Sequence, residues 1–140
     1  MDNKLTPISE LGEFAFIDKV TEDFKSYTKD VIKGIGDDAA VINANGKMAV
    51  SSEMFMEGID FNLTYFPMKH LGYKVVVSSI ADIYAMNAKP KYILVNLGLS
   101  SKFSVEAIEE LYTGIRAACD VYEIQLVGGD TNMSLTGMTI

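Results

Sequence analysis

The side chains of this sequence that could do chemistry fall into four acidic clusters. Gly34-Ile35-Gly36-Asp37-Asp38 sets paired carboxylates after two glycines, whose bare backbone permits tight turns and close approach. It reads either as an acidic β-turn or as part of a cation site. It is not a dinucleotide fingerprint, because no third glycine follows and no strand–helix context surrounds it. Ser51-Ser52-Glu53, with Glu57-Gly58-Ile59-Asp60-Phe61 close behind, offers hydroxyls and carboxylates to a hydrated cation or a phosphate, or forms a plain polar loop. Asp82 is the sharpest single-residue signal, the lone charged side chain across residues 75–88. A helix apolar nearly all round is a buried helix. A carboxylate inside one costs on the order of several kcal/mol unless a cation or donors satisfy it. A metal or catalytic role is therefore expected for Asp82, with a salt bridge to a nearby lysine as the alternative. In Val127-Gly128-Gly129-Asp130-Thr131 a strand would run into Gly-Gly, turning backbone N–H groups toward an anion with Asp130 beside its metal; a plain turn is the other reading.

Together, Asp37 or Asp38, Glu53, Asp82 and Asp130 supply oxygen ligands alone. With one His and one Cys in the chain, zinc is disfavoured. Carboxylates combined with water and substrate phosphates suit Mg²⁺. Phosphoryl transfer fits such a site, because there the protein mainly positions phosphates and neutralises charge. No GxxxxGK[ST] motif occurs, so an ATP site here is of another kind. His70 reads as a surface or packing residue, Cys119 as core, and the methionines as packing.

The elements that must position these residues follow from apolar spacing. Leu11, Phe14, Ile17, Val20 and Phe24 recur at helical steps, which predicts a helix over 9–25 capped by Ser9. Residues 39–53 read as a hairpin with Asn45-Gly46 at its turn. Pro67 opens a helix reaching about residue 87, ended by Lys89-Pro90. A strand follows over 92–99. Next comes a helix capped by Ser104, with Glu106 in its first turn and a stripe of Ile108, Leu111, Tyr112, Ile115, Cys119 and Tyr122. Strands over 124–127 and 135–140 complete an α/β (α+β) layout: a mixed four-stranded sheet with helices packed on one face.

The 140 residues fit one domain large enough for a real core. The single Cys excludes a disulfide framework and fits a cytoplasmic protein. A net charge of −7 argues against nucleic acid as the main partner and for partners that bring cations. The start lacks a signal-peptide apolar region, and no apolar run is long enough to span a bilayer, so no membrane partner is expected. The chain stops at Ile140 inside an expected strand, which reads either as a natural domain end or as a fragment of something longer.

These motifs, in this order, resemble the thiamine-monophosphate kinase family, within the superfamily of aminoimidazole ribonucleotide synthetase-like ATP enzymes. The resemblance covers nearly the whole chain: Glu10-Leu11-Gly12-Glu13-Phe14, then residues 34–38, 51–61, Leu71-Gly72-Tyr73-Lys74, 82–90 and 128–131. It implies that residues 1–140 are an N-terminal ATP/Mg-binding and dimerisation domain, with the C-terminal domain absent from this chain. It implies a homodimer formed through the sheet, with ATP and several Mg²⁺ near the interface. The implied reaction passes the ATP γ-phosphate to thiamine monophosphate by in-line attack, giving thiamine diphosphate.

Carried over by position, Asp38, Asp82 and Asp130 correspond to magnesium ligands, and Glu53 stands where the family usually has Asp. Ser51 and Ser52 correspond to positions near metal or phosphate, Tyr112 to one near the nucleotide, and Gly129 with Asp130 to positions beside the phosphates. Asp60 occupies the substrate loop where the family usually has His. Asn87 replaces a usual Gly, Ala81 a usual Ser and Asn132 a usual Thr. No side chain corresponds to a catalytic acid or base. Two further readings stand beside the kinase: another ATP enzyme of the superfamily, of hydrogenase-maturation or purine-synthesis type, and a non-catalytic dimeric nucleotide- or metal-binding module.

Overall fold

A glycine divides the first expected helix. In the computed structural model, which describes residues 6–36 and 40–140, α1 (Ile8–Leu11) stops at Gly12, whose φ of 80° breaks helical geometry. Then α2 (Glu13–Thr21) restarts and buries Phe16 and Val20. Pro7, not Ser9, occupies the first N-cap. The apolar spacing that predicted one helix spans two short helices, with Leu11 and Ile17 half-buried and Val20 buried, while Phe14 is exposed.

The strands β1 (Val31–Lys33) and β2 (Val41–Ile42) pair antiparallel as a separate two-stranded ribbon. The expected hairpin over 39–53 is replaced by this pairing, so β2 takes its partner from earlier in the chain. Gly46 does adopt a positive φ of 88°, while Ala39 lies outside the described residues.

Pro67 caps α3 (Met68–Ala85), its backbone already at φ −62°. Beyond the helix, Asn87 takes a left-handed φ of 55° and its N–H donates to Tyr84 O. The strand β3 (Tyr92–Leu99) lies where strand formers predicted it. It leads through α4 (Val105–Tyr122) to the parallel strand β4 (Gln125–Met133), and β5 (Met138–Thr139) returns antiparallel on the other edge of β3. Along β3, Val95, Leu97 and Leu99 are buried while Leu94 and Asn96 are exposed, so one sheet face meets the core.

The sheet is mixed, as expected, with a three-stranded assignment in the order β4-β3-β5. A further rung comes from residues 55–57. Phe55 N–H donates to Ile140 O at 2.9 Å, Ile140 N–H returns to Phe55 O at 3.0 Å, and Met56 bridges Thr139. The fourth row of the sheet is therefore a short edge bridge, with β1 and β2 standing apart.

Helices α3 and α4 pack at two glycines. A Cβ on Gly72 would lie 2.0 Å from Leu111 O, and one on Gly114 would lie 1.9 Å from Lys69 O. Around this contact the buried core runs through Leu71, Val75, Val76, Ile108, Leu111 and Ile115. Ser104 Oγ accepts from Ala107 N at 3.4 Å, capping α4 as predicted. Among the described residues, no helix is long and apolar enough to cross a membrane.

Candidate functional site

The loop ahead of the 55–57 rung lies against the C-terminal half of α3. Ser51 Oγ donates to Asp82 Oδ2 at 3.0 Å. Glu53 meets the same carboxyl: its hydrogen bond and charge interaction with Asp82, some loss of hydration and the charge of Asp60 all hold the Glu53 pKa above its usual 4.5. The sequence-predicted residues Ser51, Glu53 and Asp82 are thus brought together from segments about thirty residues apart. Beside them, Val50, Ser51, Asp82, Ile83 and Met86 line a cavity of about 330 Å³.

Asp82 is exposed, which corrects the expectation of a carboxylate inside a wholly buried helix. The core face of α3 carries Leu71, Val75, Val76 and Ile80. The last turns place Ala81, Asp82, Tyr84 and Ala85 in the solvent. Their apolar character signals an uncovered surface, not burial, so Asp82 carries no large desolvation cost here.

The remaining predicted residues lie elsewhere. The strand does not end before Gly128-Gly129: β4 continues through Asp130 to Met133, beside Asn96 and Leu99 of β3. Gly129 has a packing reason as well, since a Cβ there would stand 1.8 Å from Val95 O. Asp130 is exposed and shares its register position with exposed Asn96, on the sheet face away from the core. Asp60 stays close to Glu53 in charge terms, while its Oδ2 accepts from Met56 N at 2.7 Å and closes the turn over 56–60. Ser52 is exposed. Tyr112 belongs to the core: its ring meets Phe24 edge-on at 6.2 Å, and burial pushes its hydroxyl up to about 12. Asp38 and its neighbour Asp37 lie outside the described residues.

Two structural features had no local signal. Glu57 joins Met138 and Lys102, which lie 81 and 45 residues away in sequence. Gly72 and Gly114 face each other's helices only once α3 and α4 are paired.

Among the described residues, no three His, Cys, Asp or Glu side chains group closely enough to hold a metal by themselves. The donor set at Glu53 and Asp82 is nonetheless all oxygen, with a hydroxyl at hand. Mg²⁺ commonly takes one or two carboxylates and fills its other positions with water and substrate phosphates, so this set fits it. The Asp82 carboxyl raises the proton affinity of Glu53, and a divalent cation held between the two would relieve that repulsion.

Known proteins bear on this geometry. The AIR synthase related protein family, N-terminal domain, matches residues 36–140. The thiamine-monophosphate kinase of Aquifex aeolicus is 31% identical over 128 residues, covering 91% of this chain and 40% of the relative. The crystal structure of thiamine-monophosphate kinase from Stenotrophomonas maltophilia superposes with a TM-score of 0.71 at 28% identity, covering 91% of this chain and 40% of that one. A second solved structure, AaThiL complexed with AMPPCP and TMP, gives a TM-score of 0.59 at 28% identity over 94% of this chain and 40% of its own. The chain thus spans about two-fifths of the length of these relatives. With the family match running from Gly36 through the whole central sheet to Ile140, the chain belongs to the AIR synthase related protein family, to its N-terminal domain.

Proposed function

We propose that this chain provides the ATP- and Mg²⁺-binding N-terminal domain of a thiamine-monophosphate kinase, which transfers the γ-phosphate of ATP to thiamine monophosphate and yields thiamine diphosphate. The observation that carries the reading is the meeting of Ser51, Glu53 and Asp82 in one oxygen-only cluster, in a chain 31% identical to a thiamine-monophosphate kinase over 91% of its length. A related structure is complexed with AMPPCP and TMP, which supports an ATP-type nucleotide and thiamine monophosphate as the ligands.

In this reading Glu53 and Asp82 hold Mg²⁺, with Asp38 and Asp130 as further ligands. Bound Mg²⁺ supplies charge neutralisation on the phosphates. Ser51 orients the Asp82 carboxylate through its hydrogen bond, and Ser52 stands next to it for the phosphates. Gly129 and Asp130 stand beside the phosphates, with Asp130 on the open face of the sheet. Asp60 approaches the substrate from the turn that its own carboxylate closes. With no side chain assigned as acid or base, the chain's work is to position and to offset charge.

The protein acts in the cytoplasm as a homodimer joined through the sheet. Exposed apolar side chains at Ile32, Val41, Val50, Leu94 and Met133 support that assembly, because single-chain surfaces seldom leave so many uncovered. The test is an assay of the complete protein for ADP release that depends on thiamine monophosphate, alongside Asp82→Asn. Turnover that Asp82→Asn lowers at least about a hundredfold supports the reading; no turnover with thiamine monophosphate overturns it.

A further inference from the structure

The segment that carries Ser51 and Glu53 is held to the rest of the molecule by edge-strand backbone bonds and, at its far end, by one side chain. Phe55 and Ile140 exchange both backbone hydrogen bonds, as in a regular antiparallel pair. Two residues further on the pairing changes. Glu57 N–H still donates to Met138 O at 2.9 Å, but Met138 N–H is taken by the Glu57 side chain, whose Oε2 accepts it at 2.8 Å. The Glu57 Oε1 accepts from Lys102 Nζ at 2.6 Å, which ties the same carboxylate to the connection between β3 and α4. The carboxylate lies over Gly137, where a Cβ would come 2.9 Å from Oε2.

Glu57 thereby ends the edge ladder and releases its own carbonyl. The chain turns at once through Gly58, at φ 86°, and Gly58 N–H donates to Phe61 O at 2.7 Å. One carboxylate thus sets both the strap that holds Ser51 and Glu53 against α3 and the turn that carries Asp60. Its side chain is only 20% exposed, so its two bonds are shielded more than those of the surface ion pairs.

We propose that Glu57 is a positioning residue of the candidate metal site: through Met138 and Lys102 it holds the 51–56 strap so that Glu53 stays beside Asp82. This rests on the metal-binding reading of that site. Without the carboxylate, Met138 N–H must seek the Glu57 carbonyl or water. Either choice shifts the strap two residues downstream of Phe55 and loosens Glu53.

The experiment measures Mg²⁺ binding with AMPPCP by calorimetry on the full chain, and hydrogen exchange of the Phe55 amide. Five proteins are compared: wild type, Glu57→Met, Lys102→Met, Asp82→Asn and Ser104→Ala. The last loses the α4 helix cap without removing either bond to the Glu57 carboxylate and serves as a stability control. For Glu57→Met, which has no acceptor oxygen, the expected results are Mg²⁺ affinity weaker by about tenfold and faster Phe55 exchange. Lys102→Met, which spares the bond to Met138, is expected to give a smaller loss, and Ser104→Ala less than about a twofold change. Wild-type affinity in both Glu57→Met and Lys102→Met, with loss in Asp82→Asn, overturns the role of Glu57 alone. An equal loss in Ser104→Ala also overturns it, because general destabilisation would then account for the effect. Affinity unchanged in Asp82→Asn overturns the metal reading itself, and the role of Glu57 with it.

Discussion

Gly72 on α3 stands so close to Leu111 on α4 that a methyl group added to it would lie 2.0 Å from the Leu111 carbonyl oxygen. Gly114 makes the reciprocal approach to Lys69, and the two contacts bring the helix backbones together beside the fully buried Leu71, Leu111 and Ile115. In an exposed helix, replacing Gly by Ala gains roughly 0.5–1 kcal/mol. Here the obstacle is backbone, which cannot swing aside. Overpacking of this kind costs about 1–3 kcal/mol or more and wins over the propensity gain. Gly72→Ala and Gly114→Ala are each expected to lower the urea unfolding midpoint, and an unchanged or raised midpoint in both would refute the close-packing account.

Glu106 gives the acid limb of the stability curve. Both of its carboxylate oxygens accept from Thr6 N, each at 3.0 Å. Hydrogen bonds from Thr6, with help from backbone at the start of α4, hold its pKa down to about 2 against a usual 4.5. A carboxyl whose folded pKa is depressed stabilises the fold above its unfolded pKa. That contribution is lost as pH falls from 4.5 toward 2. Glu106→Gln is expected to destabilise the chain at neutral pH and to flatten unfolding over that window, with the two proteins converging at its acid end. Carboxyl chemical shifts followed through the titration check the pKa directly.

Cys119 is buried on α4, and loss of hydration, aided by the charge of Asp120, pushes its thiol up to about 12. Alkylation requires the thiolate and access to it. Iodoacetamide at about pH 8 should therefore leave the native chain unmodified and label it fully in denaturing urea. Labelling in the native state as fast as a free thiol would mean that α4 opens on its own.

The sequence reveals elements whose apolar periodicity is local and loses them where pairing is remote. Strand β3 reads directly from residues 92–99, and α4 from its stripe and Ser104. The division at Gly12 was hidden because Leu11 and Phe14 keep helical spacing across the break. The partner of β2 was misassigned because Asn45-Gly46 is a strong turn signal, while the real partner lies upstream at Val31. The grouping of Glu53 with Asp82 followed from residue type, because oxygen ligands spread over several segments need one cation to share. The exposure of Asp82 did not, because an apolar helix surface can be core or an uncovered face, and composition is alike for both. The Glu57 clamp depends on Met138 and Lys102, which no local pattern links to it.

Glu53 and Asp82 set the last expectation. The neighbouring carboxyl raises the Glu53 pKa above 4.5, so the folded chain holds that proton more tightly than the unfolded chain does. By linkage, stability falls as pH rises from 4.5 through the raised value, and the metal-free protein carries the repulsion at neutral pH. Glu53→Gln removes it. The variant should therefore unfold at a higher urea concentration than wild type at about pH 7 without metal, with the gap closing toward pH 4. Adding Mg²⁺ should reverse the order, because a ligand that binds only the folded chain raises wild-type stability by mass action and the variant has lost a ligand. If Mg²⁺ moves both midpoints equally, Glu53 does not hold the metal.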